Sequence, residues 1–161
     1  MARLVRVQFS PAALYLKTQM EENKVSNNNN LEEGLELMLN FDKMGGLVPV
    51  AVQNALDGRI LMQAFVNREA FDSTVRNGYA TFYSRSQGKI WRKGETSGDL
   101  LRIVKILVDC DQDALVYVVL PEGKGVCHTK TTDGESRKSC FYRELIILPE
   151  WSINNKLYKL D

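Results

Sequence analysis

The stretch LRIVKILVDCDQDALVYVVL, residues 101–120, holds the two most apolar segments of the chain, residues 101–108 and 114–120. Runs of seven or eight residues rich in valine, isoleucine and leucine are typical of β-strands. Five residues, three of them aspartates, separate the two runs. The stretch therefore predicts two strands joined by an acidic segment.

The sequence around this pair predicts one helix and further strands. Asn67 can cap a helix from residue 68 to about residue 76, where Asn77-Gly78 supplies a left-handed stop. One helix among many strands predicts an α+β domain with a mostly antiparallel sheet and few helices. The other predicted strands are residues 47–53 and 60–66, a hairpin around Asp57-Gly58, residues 79–84 and 90–93, which flank a turn at Gln87-Gly88, and residues 141–148, which end at Pro149.

Composition indicates one globular domain with shorter segments at both ends. The chain has 161 residues and a formal net charge of +1, which leaves no broad basic surface for nucleic acid. No apolar run approaches the roughly 18 residues of a membrane span. We expect residues 47–150 to form the domain, preceded by a partly helical N-terminal extension, residues 1–46, and followed by a C-terminal tail, residues 151–161.

The N-terminal extension has two recognisable parts. Residues 25–30, VSNNNN, are typical of a solvated loop. Apolar residues at helical spacing predict a short amphipathic helix over residues 31–40. The first twenty residues lack the continuous apolar core of a secretion signal, so we expect a cytoplasmic protein.

The acidic segment carries Asp109, Asp111 and Asp113 at alternate positions. Three carboxylates so close repel one another, and a hard divalent cation such as magnesium would relieve the repulsion. An EF-hand is excluded, because its required glycine and closing glutamate are missing. An exposed acidic turn without metal is the alternative. If the segment is extended, the aspartates share one face and Cys110 points to the other.

Three cysteines, Cys110, Cys127 and Cys140, are an odd number in a chain without a secretion signal, so we expect reduced thiols. Their neighbours favour a shared metal over three unrelated thiols: acids flank the first, the one histidine follows the second, and cations flank the third. Nearby cations lower a thiol pKa and favour the thiolate. Three thiolates leave one position on zinc open for water, which is typical of a catalytic site.

His128 is the only histidine of the chain and directly follows Cys127. It could be a fourth zinc ligand, but adjacent residues rarely direct both side chains at one metal. A structural role is the other alternative. We favour a base beside the metal, because imidazole titrates near neutral pH and zinc held by three thiolates is a weak Lewis acid.

Residues 83–98, YSRSQGKIWRKGETSG, combine cations, hydroxyls and glycines around one tryptophan. Such a mixture can bind phosphate through charge, hydroxyl groups and backbone N–H groups, although a basic surface turn is ordinary. The tryptophan could stack on a base or lie in the core. The predicted substrate-binding residues are Ser84, Arg85, Lys89, Trp91, Arg92, Lys93, Thr96 and Ser97.

Taken together, the motifs LVPVAVQ, ILMQAFVN, YSRS, WRKGETSG, DCDQDAL, CHT and SCFYR resemble those of the phosphoribosyl-AMP cyclohydrolase family, over about residues 47–143. The resemblance implies an intertwined homodimer, with zinc on the three cysteines drawn from both subunits. It also implies magnesium on the three aspartates and His128 as a catalytic residue.

The reaction that the resemblance implies is the zinc-dependent hydrolytic opening of the N1–C6 bond in the adenine ring of 1-(5-phosphoribosyl)-AMP. This step of histidine biosynthesis yields the formimino-aminoimidazole carboxamide ribotide. The sequence departs from the family pattern by its N-terminal extension and by an insertion, roughly residues 130–135, between Cys127 and Cys140. Lengthening a surface loop costs only about 0.6 kcal/mol per doubling, so we expect the zinc site to survive.

Two other classes of protein are alternatives. A zinc deaminase would carry an H-x-E and C-x-x-C pattern, which this chain lacks. A zinc-stapled dimeric binding module without catalysis would normally need four protein ligands. No residues remain for the pyrophosphohydrolase domain of some family members, so we expect a single activity.

Overall fold

A computed structural model describes residues 31–147 and 153–160 of the chain. The predicted loop at residues 25–30 and the predicted strand end at Pro149 lie outside the described residues. The chain divides into two compact units. The larger unit comprises Leu39–Asp109 and Asp113–Asp161, and the smaller unit comprises Met1–Met38 and Cys110–Gln112.

The larger unit has the predicted α+β architecture with few helices. A short 3-10 helix, Asp42–Met44, precedes its strands. In chain order, the other elements are β1 (Val48–Asn54), β2 (Ile60–Val66), α1 (Arg68–Asn77), β3 (Thr81–Ser84), β4 (Lys89–Arg92), β5 (Leu101–Val108), β6 (Leu115–Pro121), β7 (Arg143–Ile147) and β8 (Ile153–Lys159).

Four strands form the main sheet in the order β2-β1-β6-β5. β1 and β2 pair in antiparallel register, which confirms the predicted hairpin, and β5 and β6 are also antiparallel. β1 and β6 run parallel, with Val50 opposite Leu115. The sheet is thus mostly antiparallel, and its central parallel pair joins two hairpins.

The core lies on the buried face of β1 and around β6. Val48, Val50 and Val52 alternate along β1 and are fully buried, as expected for a strand with one face on the core. On β6, Tyr117 is fully buried, and its ring centroid lies 5.9 Å from that of Phe82 on β3. These apolar contacts hold the β3–β4 hairpin in place, because Phe82 is also fully buried.

Helix α1 begins and ends where the sequence predicts. The Asn67 side chain accepts a hydrogen bond from the Ala70 backbone N–H at 2.9 Å, and Gly78 closes the helix with φ of 73°. Inside the helix, the Thr74 hydroxyl donates to the Ala70 carbonyl and accepts the Thr81 N–H at 3.0 Å. The helix is thereby tied to the start of β3. None of the helices described in the chain is long and apolar enough to cross a membrane.

The C-terminal residues contain more regular structure than the sequence predicts. β7 lies in the predicted last strand, and β8 pairs with it in antiparallel register, with Arg143 opposite Lys159. Residues 151–161, interpreted from sequence as a tail, therefore include a strand. The alternation of polar and apolar residues there is too short to reveal a strand without its partner.

The prediction of an amphipathic helix over residues 31–40 is wrong, because only residues 31–33 are helical. Helical structure stops just before Gly34, a residue that weakens helices. The Gln112 side chain then accepts the Met38 backbone N–H at 2.6 Å and donates to the Glu36 carbonyl at 3.1 Å. These bonds use backbone groups that a continuous helix would have paired internally.

Candidate active site

Two cysteines lie side by side in the larger unit. The thiols of Cys127 and Cys140 are close enough for each to shift the pKa of the other. The backbone N–H groups of Val126 and Cys127 both donate to the Arg137 carbonyl at 3.0 Å, and the Cys140 N–H donates to the Leu61 carbonyl at 2.8 Å. The backbone on each side of the inserted residues is therefore held together, and the insertion does not separate the two thiols.

The two thiols differ in how readily they ionise. Burial acts to raise the pKa of Cys127, but the Thr129 hydroxyl, 3.0 Å from Sγ, the Thr129 N–H, the Cys140 thiol and the Arg137 charge together lower it. Burial and the neighbouring Cys127 raise the pKa of Cys140 to about 11. The Cys127 thiol therefore loses its proton before the Cys140 thiol, and a cation bound between them would favour loss of both protons.

The cysteine pair faces a cavity of about 530 Å³, called here the first cavity. It collects residues from β4, from the loop after β4 and from the segments around the two cysteines. Residues far apart in sequence thus share one space. The predicted site residues that line it are Trp91, Arg92, Lys93, Thr96, Ser97, Cys127, His128 and Cys140.

Several residues of the first cavity were not predicted. Asp99, Lys130 and Ser136 also line it. Lys130 and Ser136 lie at the two ends of the inserted loop, where Lys130 Nζ donates to Ser136 Oγ at 2.7 Å. No local pattern signals these two residues, whereas Asp99 follows the glycine-rich segment directly and could have been included with it.

Asp99 joins the two loops that border the first cavity. Its Oδ1 accepts the backbone N–H groups of Lys124 at 2.8 Å and Gly125 at 3.4 Å. Burial acts to raise the pKa of Asp99, but these hydrogen bonds, another with Ser97 and the charge of Lys93 lower it below 3.8. Because backbone donors hold this carboxylate in place, it links the two loops and restricts their movement relative to each other.

Close backbone contacts explain two glycines at the border of the first cavity. Gly94 has φ of 83°, and a Cβ there would lie 2.2 Å from the carbonyl of Asp99. At Gly125, a Cβ would lie 2.5 Å from the carbonyl oxygen of Ser136. Any other residue would push the loops apart, so both positions require glycine.

Trp91 and Arg92 face the first cavity from β4. The Trp91 ring centroid lies 5.3 Å from that of Phe82, so the predicted core contact is present, and stacking on a substrate base stays a prediction. Arg92 contacts Glu95 at 3.5 Å through one terminal nitrogen. Its Nε is buried without a hydrogen-bond partner among the described residues. A buried donor of this kind is available to an anion in the cavity.

Three predicted substrate residues do not line the first cavity. The Arg85 guanidinium lies 4.0 Å from the centroid of the Phe65 ring. The Ser84 hydroxyl is 3.4 Å from that of Ser86, and Lys89 is exposed at the start of β4. Contact of these three residues with substrate therefore stays a prediction.

The acidic segment is a turn, so the argument from an extended segment does not apply. Gln112 has φ of 54°, and no other non-glycine residue in the described part of the chain has positive φ. Asp109 Oδ1 accepts the backbone N–H groups of Asp113 at 2.9 Å and Ala114 at 3.0 Å. Carboxylate oxygens of Asp109, Asp111 and Asp113 lie within 4.8 Å of one another. The turn thus brings together the three predicted magnesium ligands.

The carboxylates of this acidic turn repel one another. Burial raises the pKa of Asp109, and the neighbouring Asp113 carboxyl raises it further. Lys43 forms an ion pair with Asp113. Divalent cations prefer such clustered carboxylate oxygens, so the donor set fits magnesium. Cys110 is exposed, and its role as a zinc ligand stays a prediction.

Comparison with known proteins identifies the family. The phosphoribosyl-AMP cyclohydrolase family model matches residues 62–142. A phosphoribosyl-AMP cyclohydrolase from Solibacter usitatus is 45% identical over 115 residues, which are 71% of this chain and 86% of that protein. One from Cenarchaeum symbiosum is 46% identical over 108 residues, 67% of this chain and 94% of that protein.

A third relative is longer. A histidine biosynthesis bifunctional protein from Aquifex aeolicus is 46% identical over 109 residues, 68% of this chain and 50% of that protein. The chain thus spans about half of this bifunctional relative and most of the other two. The family match includes the acidic turn and every residue that lines the first cavity, from Met62 to Cys140. The chain therefore belongs to the phosphoribosyl-AMP cyclohydrolase family of enzymes.

Proposed function

We propose that this protein hydrolyses the N1–C6 bond of 1-(5-phosphoribosyl)-AMP in a zinc-dependent step of histidine biosynthesis. The product is the formimino-aminoimidazole carboxamide ribotide. The observation that carries the proposal is the first cavity, where His128, the two paired thiols and the cations Arg92 and Lys93 face one space. Relatives that carry this activity in their names match over 86% and 94% of their length, which supports the same substrate.

The cysteine pair fits zinc through the chemistry of its donors. Thiolates are ligands that zinc prefers, and a cation between Cys127 and Cys140 would offset the burial and the repulsion that raise the pKa of Cys140. One chain supplies two thiols in this way, and the exposed Cys110 of a second copy supplies the third. When bound, zinc supplies the Lewis acidity that activates water at neutral pH.

His128 acts as the base in this proposal. It is exposed on the wall of the first cavity, beside Cys127 in sequence, so it can reach both water and substrate. It removes a proton from the attacking water, whose oxygen bonds to C6. The C6–N1 bond then breaks as the proton passes from His128 to N1. The second water proton moves to the nitrogen that remains on C6, so that C6 becomes a carboxamide. Imidazole has one nitrogen that can accept a proton and can later donate it, so one side chain can perform both transfers.

The cations of the first cavity bind one phosphate of the substrate. Arg92 offers its buried Nε, and Lys93 and Lys130 add positive charge from the same walls. Thr96 and Ser97 supply hydroxyl groups there. The adenine ring would stack on Trp91. Because the contact with Phe82 already fixes this side chain, little further entropy is lost on binding.

Magnesium at the acidic turn and a homodimer complete the proposal. The clustered aspartates favour a hard divalent cation. β5 is an edge strand of the main sheet, and its Val104 and Leu107 are exposed. An exposed apolar edge strand favours coverage by another chain. A second copy is the natural occupant, because the zinc site needs a third thiolate, and intertwining of the two chains would deliver it.

Turnover of purified protein tests the proposed function. Ultraviolet absorbance would follow ring opening of phosphoribosyl-AMP before and after treatment with a zinc chelator. We expect product formation that the chelator abolishes and added zinc restores. Ring opening that survives complete removal of zinc would contradict the zinc-dependent step, and no ring opening by zinc-loaded protein would contradict the function itself.

A further inference from the structure

A second cavity, of about 300 Å³, adjoins the first. Arg59, Arg137 and Lys138 contribute three positive charges to its lining, against one acid, Glu135. Ser136 lines both cavities, so the two share a wall. An excess of positive charge in a concave site attracts an anion, and the volume suits a small ligand.

Arg137 is the most confined of these cations, with 6% of its surface exposed. Its guanidinium carbon lies 4.1 Å from the centroid of the Tyr142 ring, which fixes the plane of the side chain. Its backbone is also fixed, through the bonds from Val126 and Cys127 to its carbonyl. A planar guanidinium held in this way can present paired N–H groups to phosphate oxygens.

Arg59 and Lys138 reach the second cavity from the surface. The Arg59 Nε lies 3.9 Å from Asp57 Oδ2, in an exposed pair of low strength. Lys138 Nζ donates one hydrogen bond to the Lys124 carbonyl at 2.9 Å, and an ammonium group has two further protons. Both side chains can therefore bind an anion without breaking a buried ion pair.

The inserted residues form the wall between the two cavities. Lys130 and Ser136 pair as an antiparallel bridge. Between them, the Thr131 N–H donates to the Glu135 carbonyl at 2.9 Å, and the Glu135 N–H donates to the Thr131 hydroxyl at 3.2 Å. The loop thus closes on itself. Because Ser136 Oγ accepts from Lys130, its own O–H can donate to a ligand.

We propose that the second cavity binds a phosphate monoester, and that this ligand is one of the two phosphoribosyl groups of the substrate. This inference rests on the proposed function, because a substrate with a phosphate at each end needs two anion sites. Arg92 and Lys93 in the first cavity serve one phosphate, and the three cations of the second cavity serve the other. The shared Ser136 lies where a substrate would pass from one cavity to the other.

The double variant Arg59→Gln/Lys138→Gln tests this inference in the full-length protein. Both side chains are exposed, so the fold should tolerate the change, and the thermal midpoint checks this. We expect the KM for phosphoribosyl-AMP to rise about tenfold or more while kcat changes less than about twofold. This is the result of losing a contact that stabilises the bound substrate and the transition state equally. We also expect calorimetry to give an equally weakened Kd for ribose 5-phosphate. Arg68→Gln/Arg76→Gln is the matched control, with the same charge change at exposed positions of α1, outside both cavities.

The two measurements separate failure of the inference from failure of the proposed function. If the double variant opens phosphoribosyl-AMP with the control's KM and binds ribose 5-phosphate as the control does, the second phosphate site is overturned and the function stands. If neither the control nor the double variant opens phosphoribosyl-AMP, but only the double variant loses binding of ribose 5-phosphate, the phosphate site is supported and the proposed function is contradicted. The second site would also be overturned if Arg92→Gln lost binding of ribose 5-phosphate while the double variant kept it.

Discussion

Asp99 accepts the backbone N–H of Lys124 at 2.8 Å, and this bond joins the loop after β4 to the loop before Cys127. We expect Asp99→Ala to destabilise the protein by about 2 kcal/mol, because it leaves backbone donors without a charged acceptor. Urea denaturation measures the change. Asp99→Asn should lose less, since one oxygen acceptor remains. Equal stability of the alanine variant and the parent protein would contradict this role.

The lowered pKa of Asp99 predicts that the folded protein loses stability in acid. The pKa of Asp99 is lowered on folding from its ordinary value of 3.8, so the unfolded state binds more protons in acid. Its contribution to stability is therefore complete above that value and is lost as pH falls through the lower, folded pKa. Denaturation at a series of pH values should show the parent protein and Asp99→Ala converging below pH 3.8. Parallel profiles would contradict the prediction.

Zinc binding should release protons near neutral pH. Cys140, with its pKa raised to about 11, is protonated at pH 8 and must lose its proton to bind a metal. Calorimetry of zinc binding in buffers of different ionisation enthalpy counts the protons released. We expect Cys140→Ser to release about one fewer than the parent protein. Identical proton release would mean that Cys140 is not a ligand.

His128→Asn should lower kcat with little change in KM. Loss of a positioned base typically costs about 10²–10⁴-fold in rate. Because His128 is exposed, the substitution should leave the thermal midpoint unchanged. Steady-state kinetics at saturating zinc provides the measurement. A variant with parental kcat would remove His128 from the proton transfers, and a variant with weaker zinc affinity would favour its alternative role as a metal ligand.

Arg92 and Lys89 provide a paired test of which cations bind phosphate. Arg92 lines the first cavity with a buried Nε, whereas Lys89 is exposed at the start of β4. We expect Arg92→Gln to raise KM about tenfold or more through loss of a charge-assisted hydrogen bond. If the substrate contacts only the first cavity, which Lys89 does not line, Lys89→Gln should leave KM unchanged. An increase for Lys89→Gln would indicate that a second chain brings this cation to the substrate.

The accuracy of the sequence predictions follows the range of the interactions involved. The cap at Asn67 and the stop at Gly78 depend on neighbours within a few residues, and both were predicted correctly. The helix over residues 31–40 failed because Gln112, distant in sequence, binds its backbone. The same residue, with positive φ, makes the acidic segment a turn. Local patterns could not reveal either effect.

The sequence predicted the chemical groups of the candidate site better than it predicted where the fold places them. Residue type, local neighbours and the family resemblance selected Cys127, Cys140, His128 and Arg92, all of which line the first cavity. Lys130 was missed because the fold, and not its local sequence, places it there, whereas Asp99 directly follows the glycine-rich segment and could have been included with it. The cofactors, the homodimer and the cytoplasmic location stay predictions, since they depend on molecules and surroundings outside one chain.

The parallel pairing of β1 with β6 has a consequence for the order of folding. Antiparallel neighbours such as β5 and β6 meet through a short turn, but β1 can meet β6 only after the chain between them has been brought together. Closing a long segment costs more entropy before its contacts form, and contacts distant in sequence slow folding. The segment with Cys127 follows β6, and Cys140 is bound to Leu61 on β2, the partner of β1. We therefore expect the two thiols to meet in a late step of folding, after the sheet has closed.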